Sequence, residues 1–548
     1  MNYPHWLLAI PGGLLIALVA VPHVFVSHFA VGGGFFLVAT ESRARKQNDS
    51  AVLDYCRRFS KFFALLTLVF GAITGVGIWF TIGLVSPAAT STLIDIFVWA
   101  WAIEWVFFFI EIAAAIIYYR TWDVLPAREH QLVGWIYFIS AWMSLFIING
   151  IITFQMTPGR WIQTHSFWDG LFNPTFLPSL VARTAMSVLL AGVFGYVTLP
   201  KGEGRERVAR LAAGWILAGG VVLPLSLRWY FACIPQFSRT YLDGVLTGAR
   251  HALLGGIACT VLTLLIALVC GLWKPRWMHP AVVTVLVIGS FGIMGSAEYL
   301  REFVRKPWVV NQVVYANDLL VAEIAPAQAK GAAHTANFLL TDETDAAYGE
   351  ALFQQQCASC HVAHGYRGMA RRVNGWDADF AADILQHLPA MHGTMPPFAG
   401  NETDRKALGS YLAGLNPAWH FVITDANRAD IGAKVFDSRC GHCHSVNGKF
   451  RPLRGVFEKQ TASQVKDMFP VLGSMNPDMP AFNAPDDQAD ALAFYISQEA
   501  NKPLPPSAAP AQMPIGNTKS QMMRPAQPWP PQQADYGLAG SAGFQEVR

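Results

Sequence analysis

The stretch Gly349-Glu-Ala-Leu-Phe-Gln-Gln-Gln-Cys-Ala-Ser-Cys-His361 is answered 83 residues later by Gly432-Ala-Lys-Val-Phe-Asp-Ser-Arg-Cys-Gly-His-Cys-His444. Each ends in Cys-x-x-Cys-His, the attachment signature of a c-type haem: two thiols for thioether bonds and an imidazole beside them for the iron. The candidate attachment residues are Cys357, Cys360 and His361, then Cys440, Cys443 and His444. The repeat continues downstream. Met395-Pro396-Pro397-Phe398 is matched by Met479-Pro480-Ala481-Phe482, and Leu408 with Tyr411 by Leu492 with Tyr495. A helix running into the cysteines, a Met-Pro loop offering a thioether and a closing helix are the parts of a small haem-binding domain, present twice. Disulfide or zinc pairing explains neither the trailing histidines nor the Met-Pro loops.

The rest of the chain has a different composition. At 548 residues it exceeds one core, and 53% of it is hydrophobic against 14% charged, which reads as a membrane protein with a soluble appendage. A formal charge of +3 with no basic-aromatic cluster excludes a nucleic-acid partner as a reading. Cys56, Cys233, Cys259 and Cys270 lie in or beside apolar segments without ligand spacing and read as buried thiols. Eight apolar stretches reach the ~20 residues that cross a bilayer. They run roughly over 7–40, 60–86, 92–119, 131–156, 177–199, 208–234, 249–273 and 280–300. The first is too long, and too poor in basic residues ahead of it, for a cleavable signal, so it is expected to stay as the first span.

Loop charges alternate. Arg43, Arg45, Lys46, Arg57, Arg58 and Lys61 follow the first span, and Lys201, Arg205, Arg207 and Arg210 the fifth. Arg120, Arg128, Lys274 and Arg276 add to the same side, while the other loops carry little beyond Arg160 and Arg239. The positive-inside rule then puts the N-terminus outside, and eight crossings return the haem segments to that side. In a bacterial inner membrane this is the periplasmic side, where haem c is attached. The expected organisation is a helix bundle over 1–310, a linker over 311–340, haem domains over 341–418 and 425–500, and a Pro-rich tail over 501–548 that is disordered or held by a partner.

Polar residues inside spans are functional candidates by default. His23 follows Pro22 in the first span, with His28 beyond it; Glu104 and Glu111 share one face of the third. Arg183 lies in the fifth, Arg228 in the sixth and Arg250-His251 at the start of the seventh; the eighth ends Glu298-Tyr-Leu-Arg301-Glu302-Phe-Val-Arg305-Lys306-Pro307-Trp308. Buried imidazoles suit haem ligation, carboxylates suit ligation or proton carriage, and arginines suit propionates. A satisfied interhelical hydrogen bond is the competing reading for each.

Two resemblances follow. Residues 349–415 and 432–499 resemble class I cytochromes c, which implies two covalent haems c, with His361 and Met395 ligating one iron and His444 and Met479 the other; Met475, His387 and His392 compete for the sixth position. A thioether opposite imidazole favours reduced iron and suits a one-electron relay. Residues 8–308 resemble subunit I of cytochrome bd oxidases, on His23-Val-Phe-Val followed by a Gly-rich run and Ala39-Thr-Glu41, Ala102-Ile-Glu104 with Glu111, Asn149-Gly150, Gln155-Met-Thr-Pro158 and Glu302-x-x-Arg305-Lys-Pro-Trp308. That resemblance implies haem b and/or haem d in the bundle. By that resemblance His23 and Glu302 become axial ligands of the oxygen-reducing pair, Glu104 belongs to the haem pocket and proton route, and Arg305 is a propionate or haem-site partner; Glu111, on the face of Glu104, is a further candidate for supplying protons.

The sequence departs from the bd pattern where the low-spin haem ligands belong, reading Val181-Ala-Arg183-Thr and Gly248-Ala-Arg-His251-Ala, and the quinol loop shrinks to about ten residues around 237–246. The fold class is thus all-α: about eight transmembrane helices followed by two small α-helical cytochrome c domains. The expected function is a bd-like terminal oxidase subunit that takes electrons from a periplasmic cytochrome c or other donor and reduces O2 to water. The expected partners are a bd-type subunit II or similar membrane subunit and the lipid bilayer. Two alternatives use the same residues: export of electrons from quinol through the c haems, and a haem-poor anchor for a dihaem cytochrome.

Overall fold

Eight helices long and apolar enough to cross a membrane run over Gly12–Lys46, Ser50–Val85, Val98–Arg120, Ala127–Phe154, Phe176–Val197, Arg205–Cys233, Gly248–Trp273 and Pro280–Arg305. The computed structural model describes residues 10–240, 247–335, 345–365, 368–448, 451–480 and 482–503. Residues 241–246 of the shortened loop and the Pro-rich tail from 504 lie outside the described residues. Two compact units make up the chain, Met1–His420 with Pro470–Asn483 and Phe421–Phe469 with Ala484–Arg548.

The fifth span is the axis of the bundle: 72% of its most apolar window is buried, against 11% for the second and seventh spans. Small residues let its neighbours approach. At Gly32 an added Cβ would run into the Ser187 carbonyl, so the first and fifth spans touch backbone to backbone. Around that contact Phe29 stacks close to Phe194, ring centroids 4.0 Å apart, with Phe59 and Phe63 behind it. Asp49 caps the second span by accepting from the Val52 amide, the ordinary device for an orphaned helix N-terminus. The third and fourth spans form an antiparallel pair that leaves Trp99, Trp105 and Phe109 exposed.

After the last span the chain forms a fastened strap. Trp308–Val310 and Val314–Tyr315 pair as a small antiparallel ladder, and Val321–Lys330 is helical. The strap is sewn to the bundle by the Asn311 amide, which donates to the Gln155 carbonyl at 2.9 Å, and the Asn311 side chain, which donates to the Met156 carbonyl at 3.1 Å. Asp318 accepts from the Ala88 and Ala89 amides at 2.8 and 2.9 Å and from the Ser86 hydroxyl at 2.7 Å, capping helix Pro87–Ile96. Beyond it the strap is tied to the first haem domain. Asn317 donates to the Gln356 carbonyl at 3.2 Å, and the Ala332 amide to Asp404 at 2.8 Å.

Removing this cap gives a test of the strap. Asp318→Ala should cost about 1 kcal/mol and speed amide exchange in residues 86–96, with Asp318→Asn in between. Exchange unchanged in both variants would show that the cap does not hold the strap.

Candidate functional site

In the bundle, the chemistry-bearing residues fall into three places. His23 sits half-buried in the first span with Nδ1 3.0 Å from the Thr74 hydroxyl of the second, and its ring lies over Gly75. That partner fixes the ring and leaves Nε2 as the nitrogen suited to a ligand bond, the usual arrangement behind a metal-binding imidazole. His28, 3% exposed, spends Nδ1 on the Val24 carbonyl one turn back at 2.7 Å. Arg228, Arg250 and His251 turn outward and are exposed.

The second place is the third-to-fourth span seam. Ser144 donates to Glu104 Oε1 at 2.7 Å, and Tyr137 donates to Glu111 Oε1 at 3.0 Å. Both glutamates therefore share the face that the seven-residue spacing required, and both are held by neutral hydroxyls.

The third place is the end of the eighth span. Arg301 Nε bonds Glu298 at 2.9 Å, and Arg183 of the fifth span approaches the same carboxylate at 3.8 Å. Glu302 pairs with Arg305, and with Lys306 Nζ at 2.9 Å; Arg305 also donates to Gln155. Four cations thus surround two carboxylates. Arg183 and Arg305 keep only 12% and 9% of their side chains exposed. Buried charge without a counter-charge costs several kcal/mol, so this corner is built for further anionic groups. Arg305 Nε supports that directly: it is buried and has no hydrogen-bond partner among the described residues. Haem propionates fit both features.

The sequence pairs His23 with Glu302. Among the described residues no hydrogen bond or ion pair joins them, and each is engaged by other groups, His23 by Thr74 and Glu302 by Arg305 and Lys306. Nor does any cluster of three or more His, Cys, Asp and Glu among the described residues suit a bare metal ion. A haem needs only axial ligands from the protein, since its macrocycle fills the equatorial positions. The Arg183–Glu298 pair joins residues of the fifth and eighth spans that the sequence does not bring together. Its signal was an arginine in an apolar span facing a glutamate that already has Arg301 three residues on.

The two haem-attachment sites repeat each other in space. In the first, helix Asp345–Gln356 runs into the cysteines: the Cys357 amide donates to Phe353 O at 2.9 Å, and those of Cys360 and His361 to Cys357 O at 3.1 and 2.9 Å. In the second, after helix Arg428–Arg439, the Cys440 amide donates to Phe436 O at 2.8 Å, and those of Cys443 and His444 to Cys440 O at 2.9 and 2.8 Å. None of the four thiols is engaged in a disulfide among the described residues.

The leading helix crosses the closing helix at a glycine in both domains. A Cβ on Gly349 would strike the Ala407 carbonyl, and one on Gly432 the Ala491 carbonyl. Beside the crossing, Phe353 meets Tyr411 at 5.5 Å and Phe436 meets Tyr495 at 5.6 Å. The repeated Gly, Phe and Tyr of the sequence are therefore the crossing itself. His444 Nδ1 lies 3.1 Å from the Arg451 carbonyl, so it donates there and leaves Nε2 as the nitrogen suited to a ligand bond. Met395 and Met479 are half-buried, whereas Met475 is 53% exposed. His387 faces Asp383 at 3.6 Å, and the His392 side chain lies outside the described ones.

The first haem domain meets the bundle at the charged corner. Lys306 Nζ, already bonded to Glu302, lies 4.0 Å from the Cys360 sulfur. At the neighbouring residue, the Ser359 carbonyl accepts from the Gly13 amide, at the start of the first span, at 3.5 Å.

Comparison with known proteins agrees with this division. The family model for cytochrome bd terminal oxidase subunit I matches residues 14–226. The model for cytochrome c oxidase, cbb3-type, subunit III matches twice, over 344–412 and 427–496. The chain joins a cytochrome bd subunit I domain to two cbb3-type cytochrome c domains. The bd match contains His23, Glu104 and Glu111 and stops short of Glu302 and Arg305. The cbb3-type cytochrome c oxidase subunit CcoP of Rubrivivax gelatinosus is 32% identical over 136 residues, which cover 23% of this chain. The chain spans 43% of the length of that relative. Among solved structures, a bd oxidase from Geobacillus thermodenitrificans aligns at a TM-score of 0.49 with 16% identity, covering 55% of this chain and 88% of that one. Eight apolar spans followed by two domains that match the cbb3-type cytochrome c model make a multi-pass membrane protein, and cytochrome c domains of this kind imply covalent haem c.

Proposed function

We propose that this bd-type fusion is the haem-bearing subunit of a terminal oxidase that takes electrons from a periplasmic cytochrome c-type donor and reduces O2 to water. The observation that carries the reading is the contact of the Cys360 sulfur with Lys306, which is itself bonded to Glu302. A haem-attachment site that abuts the charged corner of the bundle suits direct delivery into the bundle better than release to a diffusing acceptor. When bound, the haems supply the one-electron transfers and the oxygen chemistry.

The chain supplies everything around them. Cys357 with Cys360, and Cys440 with Cys443, would attach the two haems c; His361 with Met395, and His444 with Met479, would hold their irons. In the bundle His23 and Glu302 would hold haem b or haem d, and Thr74 orients His23. Arg183, Arg301, Arg305 and Lys306 offer more positive charge than Glu298 and Glu302 neutralise, which suits propionates. Glu104 and Glu111 carry protons through a region that water reaches poorly.

The loop charges favour the haem domains on the periplasmic side of a bacterial inner membrane and the Arg43–Lys61 loop in the cytoplasm. A second membrane subunit of bd type, or lipid, covers the exposed Trp99, Trp105 and Phe109.

The test is a pyridine haemochrome assay on the purified complex, with oxygen uptake measured against reduced cytochrome c and against quinol. The expected result is haem c together with b or d haem, and uptake driven by cytochrome c. Haem c alone would leave a dihaem cytochrome on an anchor, and electron flow from quinol to an external cytochrome would make the protein an exporter.

A further inference from the structure

The third and fourth spans carry a ladder of polar pairs. Glu104, Glu111 and Tyr118 follow each other at seven-residue intervals on one helix, and Ser144, Tyr137 and His130 do so on the other, running in the opposite direction. Each pair forms a rung. Ser144 donates to Glu104 at 2.7 Å, Tyr137 to Glu111 at 3.0 Å, and His130 Nε2 lies 3.0 Å from the Tyr118 carbonyl with the two rings 4.2 Å apart. Seven residues rise about 10.5 Å, so the rungs succeed one another along the bundle.

The first span closes the ladder at one end. Glu41, 0% exposed, accepts from the Tyr118 hydroxyl at 2.6 Å and lies 3.0 Å from His130 Nδ1, itself on a fully buried ring. Gly34, one seven-residue step before Glu41, is where Tyr137 packs against the same span. Arg45, one turn beyond Glu41, donates at 2.6 Å to Oε1, the oxygen that His130 Nδ1 approaches, while Tyr118 holds Oε2; Arg45 keeps 26% of its side chain exposed.

Donor and acceptor roles at this rung are constrained. A carbonyl oxygen only accepts, so His130 Nε2 carries a hydrogen. The short contact between Nδ1 and Glu41 then holds one further proton, either as imidazolium beside carboxylate or as imidazole beside carboxylic acid. Such a pair accepts a proton from one side and gives it up on the other by shifting a single hydrogen. It is buried, the Arg45 bonded to it is partly exposed, and it lies at the end of the first span remote from Gly13.

We propose that Glu41 and His130 form the proton inlet of the membrane site, loading protons from the cytoplasmic end of the bundle onto the ladder that leads through Tyr118, Tyr137 with Glu111, and Ser144 with Glu104. The inlet rests on the oxidase reading. Each O2 reduced to two waters takes four electrons from four reduced donor cytochromes and four protons from the aqueous phase, and Glu41 with His130 is where those protons leave bulk water. Steps between rungs are longer than a hydrogen bond and pass through intervening water or side-chain rotation.

The experiment uses the intact complex in proteoliposomes, fed by reduced cytochrome c from outside. Glu41→Gln should cut oxygen turnover about tenfold or more, remove proton uptake from the interior and change the pH profile, with the haem content kept. Glu41→Asp should restore much of the rate. Tyr118→Phe, which removes one hydroxyl only, serves where Glu41→Gln fails to assemble and should also slow turnover and change its pH dependence. Oxygen uptake with unaltered rate and pH profile in every assembled variant overturns the inlet alone. No oxygen uptake in the unaltered complex overturns the oxidase reading, and the inlet with it.

Discussion

Replacing His23 by alanine is expected to abolish the oxygen-reactive haem signal of the bundle while both c haems keep their spectra. The imidazole is aimed by the Thr74 hydroxyl and seated over Gly75. Alanine removes the ligating atom and leaves Thr74 facing a void. The haem c domains do not depend on it, because their attachment turns are built from their own helices and amides. A graded variant separates ligation from packing. Thr74→Val keeps the imidazole but removes the partner of Nδ1, a change that typically costs about 10- to 100-fold in metal affinity, so haem loss should be partial. Haemochrome content and the carbon monoxide difference spectrum of the reduced complex provide the measurement. An unchanged difference spectrum in His23→Ala sinks the ligand role.

These expectations were legible in the sequence because they rest on local signals. Span number follows from length and hydropathy, and the haem domains from spacing that survives duplication: Gly349 and Gly432 show as a repeat because the helix crossing tolerates no side chain there. Glu104 and Glu111 share a face by helical period alone. What stayed hidden depends on contacts between distant segments. Arg183 reads as a lost haem ligand until it is seen against Glu298. Glu41 carries no role of its own in the sequence, because His130 and Tyr118, which surround it, lie on other spans. The strap over 308–335 reads as a tether because its ladder has only three and two residues per strand, too short for a periodic pattern. Its fastening comes from single polar residues, Asn311, Asn317 and Asp318, which in a sequence mark a turn as readily as an anchor.

The largest effect on turnover is expected from emptying the first haem domain. In a Cys357→Ser, Cys360→Ser variant, oxygen uptake driven by reduced cytochrome c should fall about a hundredfold or more, equivalent to at least ~2.7 kcal/mol in the barrier. The second haem domain should still be reduced. The reason is position: Cys360 lies against Lys306, Lys306 holds Glu302, and Ser359 meets the start of the span that carries His23. The strap fixes this domain on the bundle through Asp318 at one end and Asp404 at the other. The matching variant, Cys440→Ser with Cys443→Ser, distinguishes delivery from pickup. It should lose rapid reduction by cytochrome c, yet a small diffusible reductant should still reduce the bundle haems, since the first domain is intact. Rapid-mixing spectra of both variants at the c-haem and bundle-haem bands measure the two steps separately. Full turnover in the Cys357→Ser, Cys360→Ser variant would mean that electrons reach the bundle by another path, and the contact at Lys306 would then be a structural seam only.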